Sequence, residues 1–242
     1  MVPTISDLSP LDIAVQFRNA ANITGQKLTI QQYAPVPLPP KDPFGLVPSL
    51  MLIPLLIGGY MSATLVMAAT GKAGGRWRAA ALAGFAILAG LAVDLVACFW
   101  LQGYASGKFW IVWPICSLII AMVAFVAAVL QKLIGPLGTL LTIIVVILFG
   151  NPSSGGANGA LYLPAFWRDI GPFLPPRNTY ILLHQTIYFS GNGTTQSLIV
   201  LLIYLVVAGA LVIVLDRLRP EAKVDTEAAE AAAMTVPIGA TP

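Results

Sequence analysis

Asp94 is the residue of this sequence that most demands a chemical reason. It lies in AILAGLAVDLVACFW, Ala86 to Trp100, and is the one acidic or basic residue well inside an apolar run. A carboxyl near the centre of a membrane helix costs roughly 2.5 to 3.5 kcal/mol on insertion scales. Two readings account for it. It is a proton or substrate site, or it makes a structural hydrogen bond to a neighbouring helix with the carboxyl protonated, since no Lys or Arg lies at its depth. By position and polarity, Asn151, Ser153, Ser154 and His184 join Asp94 as candidate path or gating residues.

Other chemistries find little to work with. With a single histidine, and with Cys98 and Cys116 in neither a metal-ligand nor a redox spacing, no zinc cluster can be assembled. The cysteines read as small packing residues. The glycine-rich stretch from Gly150 to Gly159 is not followed by Gly-Lys-Ser/Thr, and Gly71-Lys72 has no glycine five residues ahead, so a phosphate-binding loop is missing. There is no Gly-x-Ser-x-Gly, no carboxylate pair and no nucleophile with a base, hence no catalytic constellation. An enzyme is not expected, and neither is a cofactor in this chain. ATP would act only through a partner ATPase.

The elements that must position these residues are set by an apolar composition. Of 242 residues 57% are hydrophobic and 10% charged, and the mean hydropathy of +0.84 exceeds what soluble globular domains reach. The net charge of +3 is small and forms no basic stripe interleaved with aromatics, so no nucleic acid partner is expected. A spanning helix needs about 20 mainly apolar residues. Five segments qualify, approximately Leu46 to Ala69, Ala79 to Leu101, Phe109 to Leu130, the short Leu133 to Gly150, and Ser197 to Leu215. The expected fold class is an all-α polytopic membrane protein of about five transmembrane helices, with two short external interfacial or re-entrant helices before the last.

Seven of the thirteen Lys and Arg fall in short loops or flanks on one side: Lys72, Arg76, Arg78, Lys132, Arg217, Arg219 and Lys223. The positive-inside rule then places the C-terminus in the cytoplasm and the N-terminus outside, in a multi-pass protein of the cell membrane. Residues 1–45 are read as an external N-terminal segment, 46–219 as the transmembrane domain and 220–242 as a disordered cytoplasmic tail. Lys27 to Ala34 alternates as an edge strand would, and PVPLPPKDPFG reads as a stiff connector. The external N-terminus has two explanations. The first span exports its own flank, or the chain is part of a longer architecture.

Small residues at helical spacing suggest close packing. Ala86, Gly90, Asp94, Cys98 and Gln102 form one stripe, and Ser117, Ala121, Ala124 and Ala128 a second, so spans two and three should form a tight hairpin. Trp100, Trp110 and Trp113 read as interfacial anchors. Pro54 predicts a kink, with Gly58 and Gly59 completing a candidate hinge or a close-packed patch. Gly150-Asn151-Pro152 should end the fourth span. Ala160 to Trp167 and Arg177 to Phe189 then read as two short helices at the outer leaflet, the second with Tyr180, Leu183, His184, Ile187 and Tyr188 on one face.

This stretch resembles a known family. Asn151, Pro152, Ser154, Gly155, Gly156, Leu163, Pro164, Phe166, Gly171, Pro172, Leu174, Pro175, Tyr188 and Phe189 follow the order found near the C-terminus of ABC exporter permeases of the type-2 class, phage-infection-protein-like branch. The resemblance implies a permease half. Such a unit has six spans, an external domain after the first, and two re-entrant helices before the last. Two units usually form the substrate path, with cytoplasmic ATPases attached. The chain departs from the pattern in lacking the first span and nearly all of the external domain, so residues 1–45 would be a remnant of it. It also has His184 where the family would carry an arginine.

The leading expectation is therefore the membrane subunit of an exporter-like complex moving a lipid or hydrophobic substrate. Its implied partners are membrane lipids, a second permease-like chain or another copy of itself, and a cytoplasmic ATPase contacting Lys72, Arg76 and Arg78. For that basic loop, anchoring at the membrane surface is the alternative. For the whole chain, the alternative is a non-transporting accessory or scaffold protein with an inherited permease fold.

Overall fold

The computed structural model describes residues 38–42, 45–70, 75–155 and 163–218. The strand expected at Lys27 to Ala34, the tail from 220, Lys72, and the first residues of the helix expected from Ala160 lie outside them. Among the described residues every regular element is helical, and four helices are long and apolar enough to cross a membrane.

The four are α1 (Val47–Ala69), α2 (Gly75–Leu95, continued by a wide π turn at Val96–Trp100), α3 (Phe109–Ile134) and the last helix of the chain. Between α3 and that last helix lie α4 (Pro136–Thr142, continued by a π segment at Ile143–Phe149), α5 (Gly150–Ser153), α6 (Ala165–Ile170) and α7 (Pro175–Tyr188). The last helix, α8, runs over Thr195–Leu218. The predicted fourth span is thus a succession of short pieces and not one long helix. Gly135, at φ 62°, breaks it from α3, which only glycine does without strain.

The central helix is α3, against which α1, α2 and α8 all pack. Over its most apolar window 56% of α3 is buried, against 17% of α8, whose Leu202, Ile203, Val206 and Val207 point outward. A helix apolar all round is compatible with lipid contact on its free faces. The expected α2–α3 hairpin is present. At Gly90 a Cβ would come within 2.5 Å of Ser117 Oγ, so only glycine admits this approach. Ala86, Gly90, Asp94 and Cys98 are buried along the seam, whereas Gln102 has left it: the helix has ended, and Gln102 is exposed at φ 50°.

Pro54 lies within α1, which continues through it. Gly59 one turn later is packed on α3, where a Cβ would sit 2.5 Å from that of Val123, while Gly58 has looser surroundings. Of the two expectations for this patch, close packing accounts for Gly59.

Connectivity gives the bundle two ends. One gathers Thr70, Arg78, Lys132 and Asp216. The other gathers Asp42, Tyr104, Lys108 and α7. Residues 136–153 join the ends. Gln131 Nε2 donates to Thr139 Oγ1 at 3.0 Å near the first, and Gly150 abuts Pro176 at the second.

Candidate functional site

The end bearing α7 is built as a cap. Asp42 Oδ1 accepts from the Leu46 amide at 2.8 Å and Oδ2 from the Val47 amide at 3.0 Å, satisfying two amides at the start of α1. The Tyr188 hydroxyl, from the last residue of α7, also donates to Asp42 Oδ2. Lys108 donates to the Thr186 and Ile187 carbonyls at 3.4 and 2.5 Å, placing a cation at the C-terminus of α7 where the helix dipole favours one. At the other end of α7, Asn178 Nδ2 donates to the Pro172 and Leu174 carbonyls, each at 2.9 Å. Tyr204 of α8 donates to the Phe173 carbonyl at 3.0 Å. The cap is therefore tied to α1, α3 and α8 by separate contacts.

Leu183, Ile187 and Tyr188 of the predicted α7 face are buried, and Tyr180 and His184 are half-buried. Much of that face packs on protein. His184 lies among aromatic rings, with centroids 5.3 Å from Tyr180, 5.3 Å from Tyr188 and 5.4 Å from Phe189. Burial lowers its pKa from the ordinary 6.5. Ser153 donates to the Gly150 carbonyl at 2.8 Å, and its own carbonyl lies under Gly171. Ser154 is buried beside it, and Asn151 lies in the same α5 turn. These three therefore sit together under the cap.

Asp94 is elsewhere. It is fully buried in α2, and the Tyr104 hydroxyl donates to its Oδ1. The π turn and the left-handed Gln102 fold the chain back so that Tyr104 reaches it. Burial, and next the bond to Asp94, push the Tyr104 phenol well up, so the donor keeps its proton. The partner thus comes from the connection after the same helix, and not from a neighbouring span. Asp94 Oδ2 is buried without a hydrogen-bond partner.

At the opposite end, Arg78 and Lys132 both pair with Asp216 of α8, all three side chains being less than a tenth exposed. Arg78 also donates to Thr70, from Nε to Oγ1 at 3.2 Å and from Nη2 to the carbonyl at 2.9 Å. Of the basic residues expected to meet a cytoplasmic partner, Arg78 is turned into the bundle, Arg76 is exposed and Lys72 lies outside the described residues.

Sequence reasoning missed Asp42, Tyr104, Lys108 and Asp216. Asp42-Pro-x-Gly just before an apolar run is the kind of signal that marks a helix start, and it could have exposed the first. The others depend on contacts between helices. No family model matches the chain, and no curated protein or solved structure matches it.

Proposed function

We propose that this chain is the membrane subunit of an ABC-type exporter-like complex that moves a lipid or hydrophobic substrate and works with partner chains. In this reading α1, α2, α3, the pieces from 136 to 153, and α8 make five crossings. The cap of α6 and α7 lies at the outer leaflet of the cell membrane, and the Arg78–Asp216–Lys132 end faces the cytoplasm. The observation that carries the reading is the order around the cap: a broken crossing, short helices folded over one end of the bundle, and a return through α8. The residue resemblance at Asn151 to Phe189 falls on this same stretch.

In this reading Asp94, closed in by the tight α2–α3 seam and by Tyr104, has a structural role. On the same reading the substrate route runs along the outer surface of the bundle, shared with a second membrane chain. The same close-packed interior favours the second reading, an accessory protein that recruits partners through its cap. One experiment separates them. Mild-detergent purification of the full chain from its native membrane, with mass spectrometry, should recover an ATPase and a second permease-like chain. Recovery with envelope proteins and no ATPase would overturn the exporter reading.

A further inference from the structure

An open groove of about 710 Å³ lies at the basic end, between the start of α2 and the end of α8. Its lining includes Arg76, Trp77 and Ala80 from one helix and Ile213, Asp216 and Arg217 from the other. We propose that it binds one anionic phospholipid, with the headgroup phosphate between Arg76 and Arg217 and an acyl chain along Ala80 and Ile213.

Three observations carry this. First, the charge is one-sided. Asp216 is the acidic residue in the lining, and it is already shared by Arg78 and Lys132, while Arg76 and Arg217 are exposed and have no carboxylate partner among the described residues. Arg78 and Lys132 lie behind the lining and offset the Asp216 carboxylate, so the groove faces its occupant with the two exposed arginines. Guanidinium groups match phosphate geometry better than ammonium groups do. Second, the groove is amphipathic along its length. The arginines lie at the helix ends, while Ala80 and Ile213 lie about one turn further into the apolar part of each helix. Third, Trp77 at the rim is 76% exposed although large and apolar. An indole there suits the headgroup level of a bilayer. A soluble acidic peptide would complement the arginines but not the apolar floor, whereas a basic cleft between membrane helices is a recurrent headgroup site.

The inference needs a membrane-embedded bundle but not the export reading, because groove and lipid can be tested in the isolated chain. The purified full chain in detergent would be given dioleoylphosphatidylglycerol or dioleoylphosphatidylcholine, and retained lipid counted by native mass spectrometry. One phosphatidylglycerol should be retained in strong preference to phosphatidylcholine. Taking about fivefold per cation near a charged headgroup, Arg76→Gln with Arg217→Gln should reduce retention about 25-fold. Both residues are exposed, so the fold should survive. Ala80→Trp keeps every charge but fills the groove, and it too should lose the lipid. Lys41→Gln with Arg168→Gln, at the far end, should change nothing. Equal retention of the two lipids, or undiminished retention in either groove variant, would overturn the site. So would a groove variant that loses a co-purifying soluble protein while keeping its phosphatidylglycerol, which would make the groove a protein contact.

Discussion

The two ends of the bundle are closed by different chemistry. At the basic end Asp216 holds cations from two other helices, so α2, α3 and α8 meet at one point. At the cap end the joints are pairwise and separate: Tyr188 on Asp42, Lys108 on two α7 carbonyls, Tyr204 on the Phe173 carbonyl. The first end is strong but is weakened at two joints by one change, because losing the shared acceptor takes the carboxylate from two buried cations together. The second can lose one contact while the others stay in place.

The largest effect should therefore come from Asp216→Asn. It takes the shared carboxylate from Arg78 and Lys132, whose side chains are 2% and 7% exposed, and should cost about 3 to 5 kcal/mol. Lys132→Met, which leaves the Arg78–Asp216 pair intact, should cost much less. Thermal unfolding in detergent compares the two, and equal losses would break the contrast between a shared and a pairwise joint.

Next in size is the seam between the ends. Gly90→Val pushes a side chain against Ser117 and should cost about 1 to 3 kcal/mol by overpacking. Gly84→Val on the same helix, where a Cβ meets nothing within 4 Å, should be close to neutral in the same assay. If the two match, helix propensity and not the close approach explains Gly90.

How far the sequence could be read divides along the same lines. The four long helices and the α2–α3 hairpin were legible because apolar run length and small-residue spacing are properties of one segment at a time. For the fourth predicted span only the apolar run was legible: Gly135 and the π segment break its regularity without altering its hydropathy. Of the site, the polarity of Asp94, Ser153, Ser154 and His184 was visible, but not their company. Asp216 lies 138 positions from Arg78 and Tyr188 lies 146 from Asp42. Such pairings are set by how helices dock, which no local pattern records.

At the cap, Tyr188→Phe should have a smaller effect, about 0.5 to 1.5 kcal/mol for one hydrogen bond, because Asp42 keeps its two amide donors. It should be felt locally. Amide exchange in α7 should quicken while the basic end stays protected, and a uniform change across the bundle would contradict a separately tied cap. The smallest effect concerns pH. Burial holds His184 below the ordinary 6.5, so the packed cap favours the neutral ring. That contribution is fully present above about 6.5, the unfolded value, and is lost as the pH falls through the lower folded value. The thermal midpoint should therefore drop more between pH 7.5 and 5.5 in the native chain than in His184→Gln. An equal drop would remove His184 from the cap's pH response.

The most direct test of a two-ended, membrane-crossing bundle is sidedness. Single cysteines at Ser106, Asp169, Arg76 and Leu218 would be introduced after removing the buried Cys98 and Cys116, and probed in intact cells with a membrane-impermeant maleimide. Ser106→Cys and Asp169→Cys should label from outside, and Arg76→Cys and Leu218→Cys only after permeabilisation. Labelling of Asp169→Cys from the same side as Leu218→Cys would contradict the crossing by residues 136–153 and the external cap with it.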